Sequence, residues 1–316
     1  MLATKSLNTH STPMDPAAFF LPLGYIAQAR NTTLDTARDL SRDGAYWSPW
    51  RIKDAARWQK HVYALAGRLA QQAIHANNSA LAYNATRANK SAPTNSAIQI
   101  LDVGCGVCVK LNQHLIIPGA NATGIDQRSA LDAARSLGCK ATLYEVDLET
   151  ANLNLNQHFD IIICADVLEH LINPDNTLAL MARHAAPHTR VILSTPERHR
   201  ERGRDCNSSN KPEHVREWAF AEFAAYINSR GWRVLSHRLC TKDDAPILPA
   251  RASERAFRAS LADRSPLCCQ VIVCQPPAST NTSTAPNPSP NPTPNPTPNP
   301  TPNPTSITTT KLGDRP

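Results

Sequence analysis

The chain has 316 residues, of which 41% are apolar and 19% charged, a composition typical of globular proteins. No run approaches the roughly 20 consecutive apolar residues of a transmembrane helix, which excludes a membrane span. Residues 1–96 carry +6 of the formal net charge of +7, whereas residues 97–276 are neutral. Because nucleic-acid binding sites gather cations, this distribution argues against a nucleic-acid partner. The nine irregularly spaced cysteines and an amino terminus without a secretory-signal pattern predict reduced thiols and a cytoplasmic protein.

The amino-terminal part is predicted to be irregular over residues 1–45 and to form a helical extension with a loop over residues 46–96. Ser48 and Pro49 are typical of a helix start, and the helix is predicted to continue to residue 74, with a loop over 76–96. Four aromatic side chains cluster here: Tyr46, Trp47, Trp50 and Trp58. Packing of the extension against the main domain is the preferred interpretation, and a lid over a ligand is the alternative.

Residues 97–276 alternate between strand and helix patterns. Strands are predicted at 98–103, 122–126, 142–146, 160–165 and 190–194, and helices at 108–115, 129–137, 176–186 and 217–230. Two final strands, at 232–240 and 267–274, have no helix between them and indicate an antiparallel pair. This order predicts an α/β fold: a doubly wound, seven-stranded, mostly parallel sheet, which binds ligands at the carboxyl ends of its strands.

The carboxyl-terminal residues 277–316 form a proline-rich tail. Every second residue from Pro286 to Pro304 is proline, a pattern that excludes helix and sheet and predicts a polyproline II rod or a disordered spacer. Either a tether or a docking segment for a protein partner would use such a tail, and a low-complexity tail without a role is the third interpretation.

Acidic residues and glycines follow three successive strands. The first strand ends in Asp102, Gly104 and Gly106, the second in Asp126 and the third in Asp147. Glycines let the backbone approach a ligand closely, and an acid at the end of the second strand can accept both hydroxyls of a ribose. The pattern therefore predicts a nucleoside ligand, although each acid taken singly has a turn or capping role as its alternative.

The stretch Asp102-x-Gly104-x-Gly106-x-Cys108 resembles the first motif of class I S-adenosylmethionine-dependent methyltransferases, with Cys108 in place of the third glycine. The resemblance implies S-adenosylmethionine as the cofactor and covers roughly residues 97–275. A helical conformation at residue 108 would make the cysteine tolerable there. The resemblance implies these cofactor-binding residues: Asp102, Gly104, Cys105, Gly106, Asp126, Gln127, Asp147, Leu148, Ala165 and Asp166.

The segment Asp166-Val-Leu-Glu-His-Leu is similar to small-molecule methyltransferases and differs from the Asn/Asp-Pro-Pro motif of enzymes that methylate bases. The later segment His214-Val-Arg-Glu-Trp resembles a bacterial subgroup, of the methyltransferase domain 11/23 type, linked to small-molecule biosynthesis. This resemblance implies a small-molecule acceptor, for which a sugar or nucleotide-sugar is the hypothesis. Arg198, Arg202 and Arg216 are the candidate ligands for its phosphate or carboxylate, with a solvated loop as the alternative.

His170 and His214 are the candidate general bases for a hydroxyl or amine acceptor, and a structural role is the alternative for each. Cys105 and Cys108 have the spacing of a metal or redox pair, but no second such pair accompanies them, so we expect no metal. Two other functions stay open. One is an RNA or protein methyltransferase that uses the basic residues 1–96, and the other is a non-catalytic module that binds S-adenosylmethionine.

Overall fold

The computed structural model describes residues 15–28, 47, 49–85, 97–209, 211, 213–241 and 267–278. The strands are β1 (Ile98–Val103), β2 (Ala120–Asp126), β3 (Thr142–Glu145), β4 (Phe159–Ala165), β5 (Ala185–Pro196), β6 (Arg233–Cys240) and β7 (Cys269–Gln275). The helices are α1 (Pro49–Asp54), α2 (Lys60–Ala85), α3 (Val109–His114), α4 (Arg128–Ser136), α5 (Pro174–Arg183), α6 (Arg198–Arg202) and α7 (Phe220–Ser229).

The strands form one sheet in the order β3-β2-β1-β4-β5-β7-β6. Strands β1 to β5 are parallel, and β7 runs antiparallel between β5 and β6. The predicted doubly wound, seven-stranded, mostly parallel sheet is therefore confirmed. The strand order reverses between β1 and β4, and a ligand crevice is expected outside the carboxyl ends of the strands at such a point.

Both faces of the sheet are covered, which explains why β1 and β4 are apolar almost throughout. On one face Ile100 of β1 packs in a cluster with Val62 of α2. On the other face the next residue, Leu101, packs in a cluster with Leu178 of α5. Alternate side chains of each central strand thus enter different cores, and this double burial fixes the register of the sheet.

The amino-terminal extension differs from its predicted form. The predicted single helix is divided, because α1 ends at Asp54 and α2 begins only after Gln59, whose φ is +54°. Helix α2 then continues to Ala85, so the predicted loop over 76–96 is wrong as far as that residue. The alanines of this stretch sustain helix, and the asparagines among them do not end it.

Several predictions fall on residues outside the described part of the chain. They include the start of the helix at Ser48, most of the irregular segment 1–45 and nearly all of the proline-rich tail. The domain boundaries drawn from the sequence accordingly stay predictions. Among the helices described above, none combines the length and the apolar character that crossing a bilayer requires.

Candidate active site

A glycine bend follows β1 at the carboxyl edge of the sheet. The backbone of Gly104 has φ of +74°, and a Cβ atom placed there would lie 2.4 Å from Cγ2 of Val167. The amides of Gly104 and Cys105 both donate to the carbonyl of Ile125, at 2.9 and 3.2 Å, which ties the bend to the end of β2. Only glycine satisfies both the conformation and the space at residue 104.

Cys108 occupies the position of the family's third glycine with φ of +59°, immediately before α3. The expectation that this residue is helical is wrong: the backbone is left-handed, which glycine adopts without strain and cysteine does not. The thiols of Cys105 and Cys108 are buried and reduced, and both contact the carbonyl of Gly106. A hydrogen bond to Cys108 and burial raise the pKa of Cys105, so its thiol is neutral.

Asp126 closes the bend from the end of β2. Its carboxylate accepts hydrogen bonds from the amides of Gly106 and Gln127, both at 2.7 Å. Burial raises the pKa of Asp126 to about 6, although these amide donors act to lower it. The structure therefore brings three of the predicted cofactor residues, Gly106, Asp126 and Gln127, into direct contact.

Asp102 is fully buried at the end of β1 and is held by a residue of α2. The hydroxyl of Tyr63 donates to both carboxylate oxygens, at 3.1 and 2.9 Å. Burial raises the pKa of Asp102 to about 7, while the hydrogen bond from Tyr63 and the charge of Lys110 act to lower it. A carboxyl with this pKa can change charge near neutrality, when a cationic ligand arrives.

Asp147 and Leu148 follow β3, next to the end of β2. The amide of Val146 donates to the carbonyl of Asp126 at 3.0 Å, which places Asp147 beside the second strand. The carboxylate of Asp147 is exposed and accepts from the amide of Glu149 at 3.0 Å, so it also shapes its own turn. The strand-end acids are thus gathered at one edge of the sheet, as predicted.

Ala165 ends β4, and Asp166 follows it with φ of +53°. Its two carboxylate oxygens accept from different elements: Ser194 Oγ of β5 at 2.7 Å and Gln59 Nε2 at 2.9 Å. These two donors, one in β5 and one just before α2, fix the direction of the carboxylate.

The segment before α2 lies along the same edge. Besides Gln59, the indole of Trp47 lies so close to Gly106 that a Cβ atom there would be 2.8 Å from it. Arg51 of α1 forms an ion pair of 2.8 Å with Glu213. The extension therefore packs on the main domain beside the glycine bend, which agrees with the preferred interpretation of its aromatic side chains. The lid over a ligand stays a prediction, and Tyr46 lies outside the described residues.

His170 and His214 lie side by side, with ring centroids 4.7 Å apart and planes nearly perpendicular. The backbone holds them together, because the amide of Val215 donates to the carbonyl of Glu169 at 2.8 Å. His170 Nδ1 contacts the carbonyl of Glu213 at 2.9 Å, and His214 Nδ1 contacts Oε1 of Glu217 at 2.5 Å. The two candidate bases are thus in contact: His170 follows β4, and His214 packs against it from the segment before α7.

Glu169 stands between these histidines in the sequence and is completely buried. Burial raises the pKa of Glu169 far above its ordinary range, and the neighbouring Asp166 raises it further. Strongly shifted groups cluster at functional sites, so Glu169 joins the histidines as a candidate functional residue.

The three candidate acceptor-binding arginines have intramolecular partners instead. Arg198 is 1% exposed and donates to both oxygens of Glu222 at 2.7 Å, and Arg202 donates to both oxygens of Glu217. Arg216 is buried and donates to the carbonyls that follow the turn after β4. A guanidinium bound in this way is not presented to an acceptor, so the structure gives all three a structural role.

Glu217 links this arginine network to the histidines. Although burial acts to raise its pKa, hydrogen bonds from His214 and Arg202 lower the pKa of Glu217 to about 2. The carboxylate is therefore ionised at any ordinary pH, and it fixes the imidazole of His214 through Nδ1.

Sequence reasoning missed four residues of this site: Gln59, Tyr63, Glu169 and Glu217. Glu169 and Glu217 lie inside the two segments already singled out, so their position beside the candidate histidines was the available signal. Gln59 and Tyr63 belong to the extension and reach the site only through the tertiary fold.

Comparison with known proteins is consistent with this geometry. A family model described as a methyltransferase domain matches residues 69–237, more than half of the chain. Ubiquinone biosynthesis O-methyltransferases of Dechloromonas aromatica and Photobacterium profundum are 33% and 38% identical over 105 and 106 residues. Each match covers 32% of this chain and 45% or 44% of the relative. This chain thus spans less than half the length of the curated relatives that it matches.

Two solved structures illustrate the likeness in fold. An S-adenosylmethionine-dependent methyltransferase from Mesorhizobium loti is 19% identical with a TM-score of 0.42, covering 63% of this chain and 99% of its own. The plantazolicin methyltransferase BpumL is 17% identical with a TM-score of 0.44, covering 73% and 93%. The family assignment rests on the sequence match and the site: this chain belongs to the methyltransferase domain family of class I S-adenosylmethionine-dependent methyltransferases.

Proposed function

We propose that this chain transfers a methyl group from S-adenosylmethionine to a hydroxyl oxygen of a small molecule. The observation that carries the proposal is the placement of the His170–His214 pair directly after β4, adjoining the strand-end acids and the glycine bend. Donor-binding groups and proton-accepting groups therefore meet at one edge of the sheet.

The residues at this edge fit the cofactor chemically. Gly104 and Gly106 form the bend in left-handed backbone conformations, and Asp126 offers a carboxylate to ribose hydroxyls. Asp102 offers a buried carboxylate on the side of the amino-acid moiety. Asp147 and Leu148 are proposed for the adenine, and Ala165 and Asp166 border the reacting end. When bound, the cofactor supplies a methyl group that its sulfonium already makes electrophilic.

The protein's part in the reaction is then alignment and proton removal. A hydroxyl acceptor becomes nucleophilic as it loses its proton, and a neutral imidazole can accept that proton. The carbonyl of Glu213 and the carboxylate of Glu217 accept from Nδ1 of the two histidines, which leaves Nε2 as the basic nitrogen of each ring. His170 and His214 stay the proposed catalytic residues.

The acceptor is proposed to be a neutral phenolic or alcoholic compound. The arginines expected to bind a phosphate or carboxylate have intramolecular partners, which removes the support for a nucleotide-sugar from that loop. The matched relatives are named O-methyltransferases of ubiquinone biosynthesis, which supports an oxygen acceptor.

The test is a labelled-cofactor assay with purified full-length protein and three acceptor classes: ortho-dihydroxybenzenes, free hexoses and nucleotide-sugars. We expect S-adenosylhomocysteine and a labelled O-methyl product with the first class, and loss of at least tenfold in kcat for His170→Ala at saturating acceptor. His188→Ala is the control, because His188 is exposed and pairs with Asp160 outside the site.

Two outcomes would contradict the proposal. Cofactor binding by calorimetry without S-adenosylhomocysteine from any acceptor would indicate a binding module. Label that enters RNA or protein, with a strong dependence on salt, would indicate a macromolecular substrate.

A further inference from the structure

Cys108 holds a strained backbone conformation at the position of the family's third glycine. Its φ is +59° and its side chain is 1% exposed. Glycine adopts such a conformation without strain, whereas a residue with a Cβ atom pays for it. Strain that persists beside a binding loop points to a function for the strained residue, so the question is what the thiol of Cys108 contacts.

The thiol of Cys139 lies against the first turn of α3, next to Cys108. The side-chain amide of Asn112 donates to the carbonyl of Gly138 at 3.4 Å, and its oxygen accepts from the amide of Lys140 at 3.1 Å. Asn112 stands one helical turn after Cys108, and its backbone amide donates to the carbonyl of Cys108 at 2.9 Å. Both neighbours of Cys139 are thus bound to α3, and the thiols of Cys139 and Cys108 form a hydrogen bond.

Cys105 completes a row of three thiols. Its side chain forms a hydrogen bond with that of Cys108, and the amide of Cys108 donates to the carbonyl of Cys105 at 3.1 Å. Cys105 is 4% exposed, whereas Cys139 is half-buried between the exposed residues Gly138 and Lys140. A small oxidant in solution therefore meets Cys139 first, and Cys108 is the thiol beside it.

We propose that Cys108 and Cys139 form a disulfide under oxidising conditions, and that this disulfide weakens cofactor binding. The thiol of Cys108 contacts the carbonyl of Gly106 at 3.8 Å, and the amide of Gly106 donates to Asp126 at 2.7 Å. A bond to Cys139 draws the side chain of Cys108 away from that carbonyl. The glycine bend then loses its present form beside Asp126, the carboxylate that faces the ribose hydroxyls of the cofactor.

The chemistry requires a peroxide and no other reactant. The thiolate of Cys139 attacks one oxygen of hydrogen peroxide, the oxygen–oxygen bond breaks, and the products are a sulfenic acid and water. The sulfur of Cys108 then attacks the sulfenic sulfur, which forms the sulfur–sulfur bond and releases a second water. Two thiols are oxidised and one peroxide is reduced. Burial raises the pKa of Cys139 to about 12, so its thiolate is scarce near neutral pH and the reaction is slow.

The first test is peptide mapping of the full chain after prolonged treatment with hydrogen peroxide and alkylation of the remaining thiols. Trypsin leaves Cys105 and Cys108 in residues 91–110 and Cys139 in residues 136–140. We expect these two peptides to be joined by a bond that dithiothreitol breaks. The bond should be absent from Cys139→Ser and from Cys108→Gly, a variant that folds readily because glycine suits this φ. A bond that Cys108→Gly retains would assign the disulfide to Cys105 and overturn the proposal.

The second test is calorimetric titration of S-adenosylhomocysteine before and after peroxide, with the disulfide content measured in the same samples. We expect the Kd to rise by roughly tenfold or more in the oxidised protein, as for an ordinary coupling between two sites, and to recover in dithiothreitol. Cys139→Ser should bind like the reduced unmodified protein and keep that affinity in peroxide.

Cys206→Ser is the matched control for the loss of a thiol. Cys206 is also half-buried, and its thiol contacts the carbonyl of Ser208, on a different segment of the chain from the three thiols. This variant should lose affinity in peroxide to the same extent as the unmodified protein.

Three results would overturn the proposal: no joined peptides, an unchanged Kd in protein that carries the disulfide, or an equal loss of affinity in Cys139→Ser. The inference depends on the cofactor and not on the acceptor. Methyl transfer to a hydroxyl is measured in the reduced protein, so a failure of the proposed function leaves the disulfide standing, and the reverse also holds.

Discussion

Gly104 and Gly138 have nearly the same backbone φ, +74° and +73°, in different surroundings. A Cβ atom at Gly104 would meet Val167 at 2.4 Å, whereas one at Gly138 would meet nothing within 4 Å. Both Gly→Ala substitutions cost about 1–2 kcal/mol for the left-handed backbone. Gly104→Ala adds a steric cost of about 1–3 kcal/mol, so we expect it to lower the free energy of unfolding in urea by the larger amount.

Val167 provides the control for this difference. In a Val167→Ala background the Cγ atoms that would clash are gone, so Gly104→Ala should cost less there than in the unmodified protein. Equal costs in both backgrounds would show that the backbone conformation alone, and not the contact with Val167, requires glycine.

The residues that sequence reasoning found are those that local pattern determines. Asp102, Gly104 and Asp126 end strands whose apolar runs are visible in the sequence, and parallel strands bring their ends to one edge. Tyr63 and Gln59 were missed because they reach their partners across 39 and 107 residues. No local signal connects residues so far apart in the chain.

The arginines illustrate the opposite error. A local excess of positive charge predicted acceptor binding, but the sequence does not show which acids fold against those charges. Arg198 donates two hydrogen bonds to Glu222, and Arg202 donates two to Glu217. Net charge over a loop therefore says little about which cations are available to a ligand.

At the scale of elements, Arg216 joins the turn after β4 to the segment before α7. Its Nη1 and Nη2 donate to the carbonyls of Leu171 and Ile172, at 2.7 and 2.9 Å, and its guanidinium lies 4.1 Å from the ring centroid of Phe19. The three donors of lysine share one nitrogen atom, so lysine cannot reproduce the spacing of the two guanidinium nitrogens, and it cannot stack as a plane. We expect Arg216→Lys to lower the free energy of unfolding by about 1–3 kcal/mol, measured by urea denaturation.

An exposed ion pair gives the comparison. Arg128 pairs with Glu145 at a side-chain exposure of 75%, so Arg128→Lys should change the free energy of unfolding by less than about 0.5 kcal/mol. A loss from Arg216→Lys no greater than that from Arg128→Lys would contradict the structural role of Arg216.

Element boundaries were predicted best where burial on both faces constrains them. The predicted strand over 98–103 agrees with β1, and that over 160–165 lacks only Phe159 of β4. Strand β5 begins at Ala185, earlier than predicted, because pairing of Phe159 with Ala185 extends the ladder beyond the apolar run. Helix α2 also passes its predicted end, since polar Asn and Ser residues on an exposed helix are compatible with helix as well as with loop.

At the scale of the whole molecule, the buried carboxyl group of Asp102 makes the stability of the cofactor-free protein depend on pH. Burial raises the pKa of Asp102 to about 7, so the folded, cofactor-free protein prefers this carboxyl protonated. An ordinary unfolded aspartate has a pKa of about 3.9. Between these two values the folded state binds the additional proton, so the contribution of Asp102 to stability falls as pH rises from about 4 to about 7 and is constant above.

Asp102→Asn isolates that contribution, because the amide cannot ionise and can still accept from Tyr63. We expect the melting temperature of the cofactor-free Asn variant to rise relative to the unmodified protein between pH 5 and pH 8. Comparison at each pH removes the effect of buried histidines, which both proteins share. A difference that stays constant across this range would mean that Asp102 has an ordinary pKa.

Cofactor affinity should follow the opposite course. If the ionised Asp102 accepts the ammonium of the cofactor, then ionising a group of pKa about 7 should strengthen binding about tenfold between pH 6 and pH 8. Calorimetric titration of S-adenosylhomocysteine at several pH values measures this change. The Asn variant should bind more weakly at pH 8 and show a smaller dependence on pH. A wild-type affinity independent of pH would remove Asp102 from the ammonium site and leave it a structural partner of Tyr63.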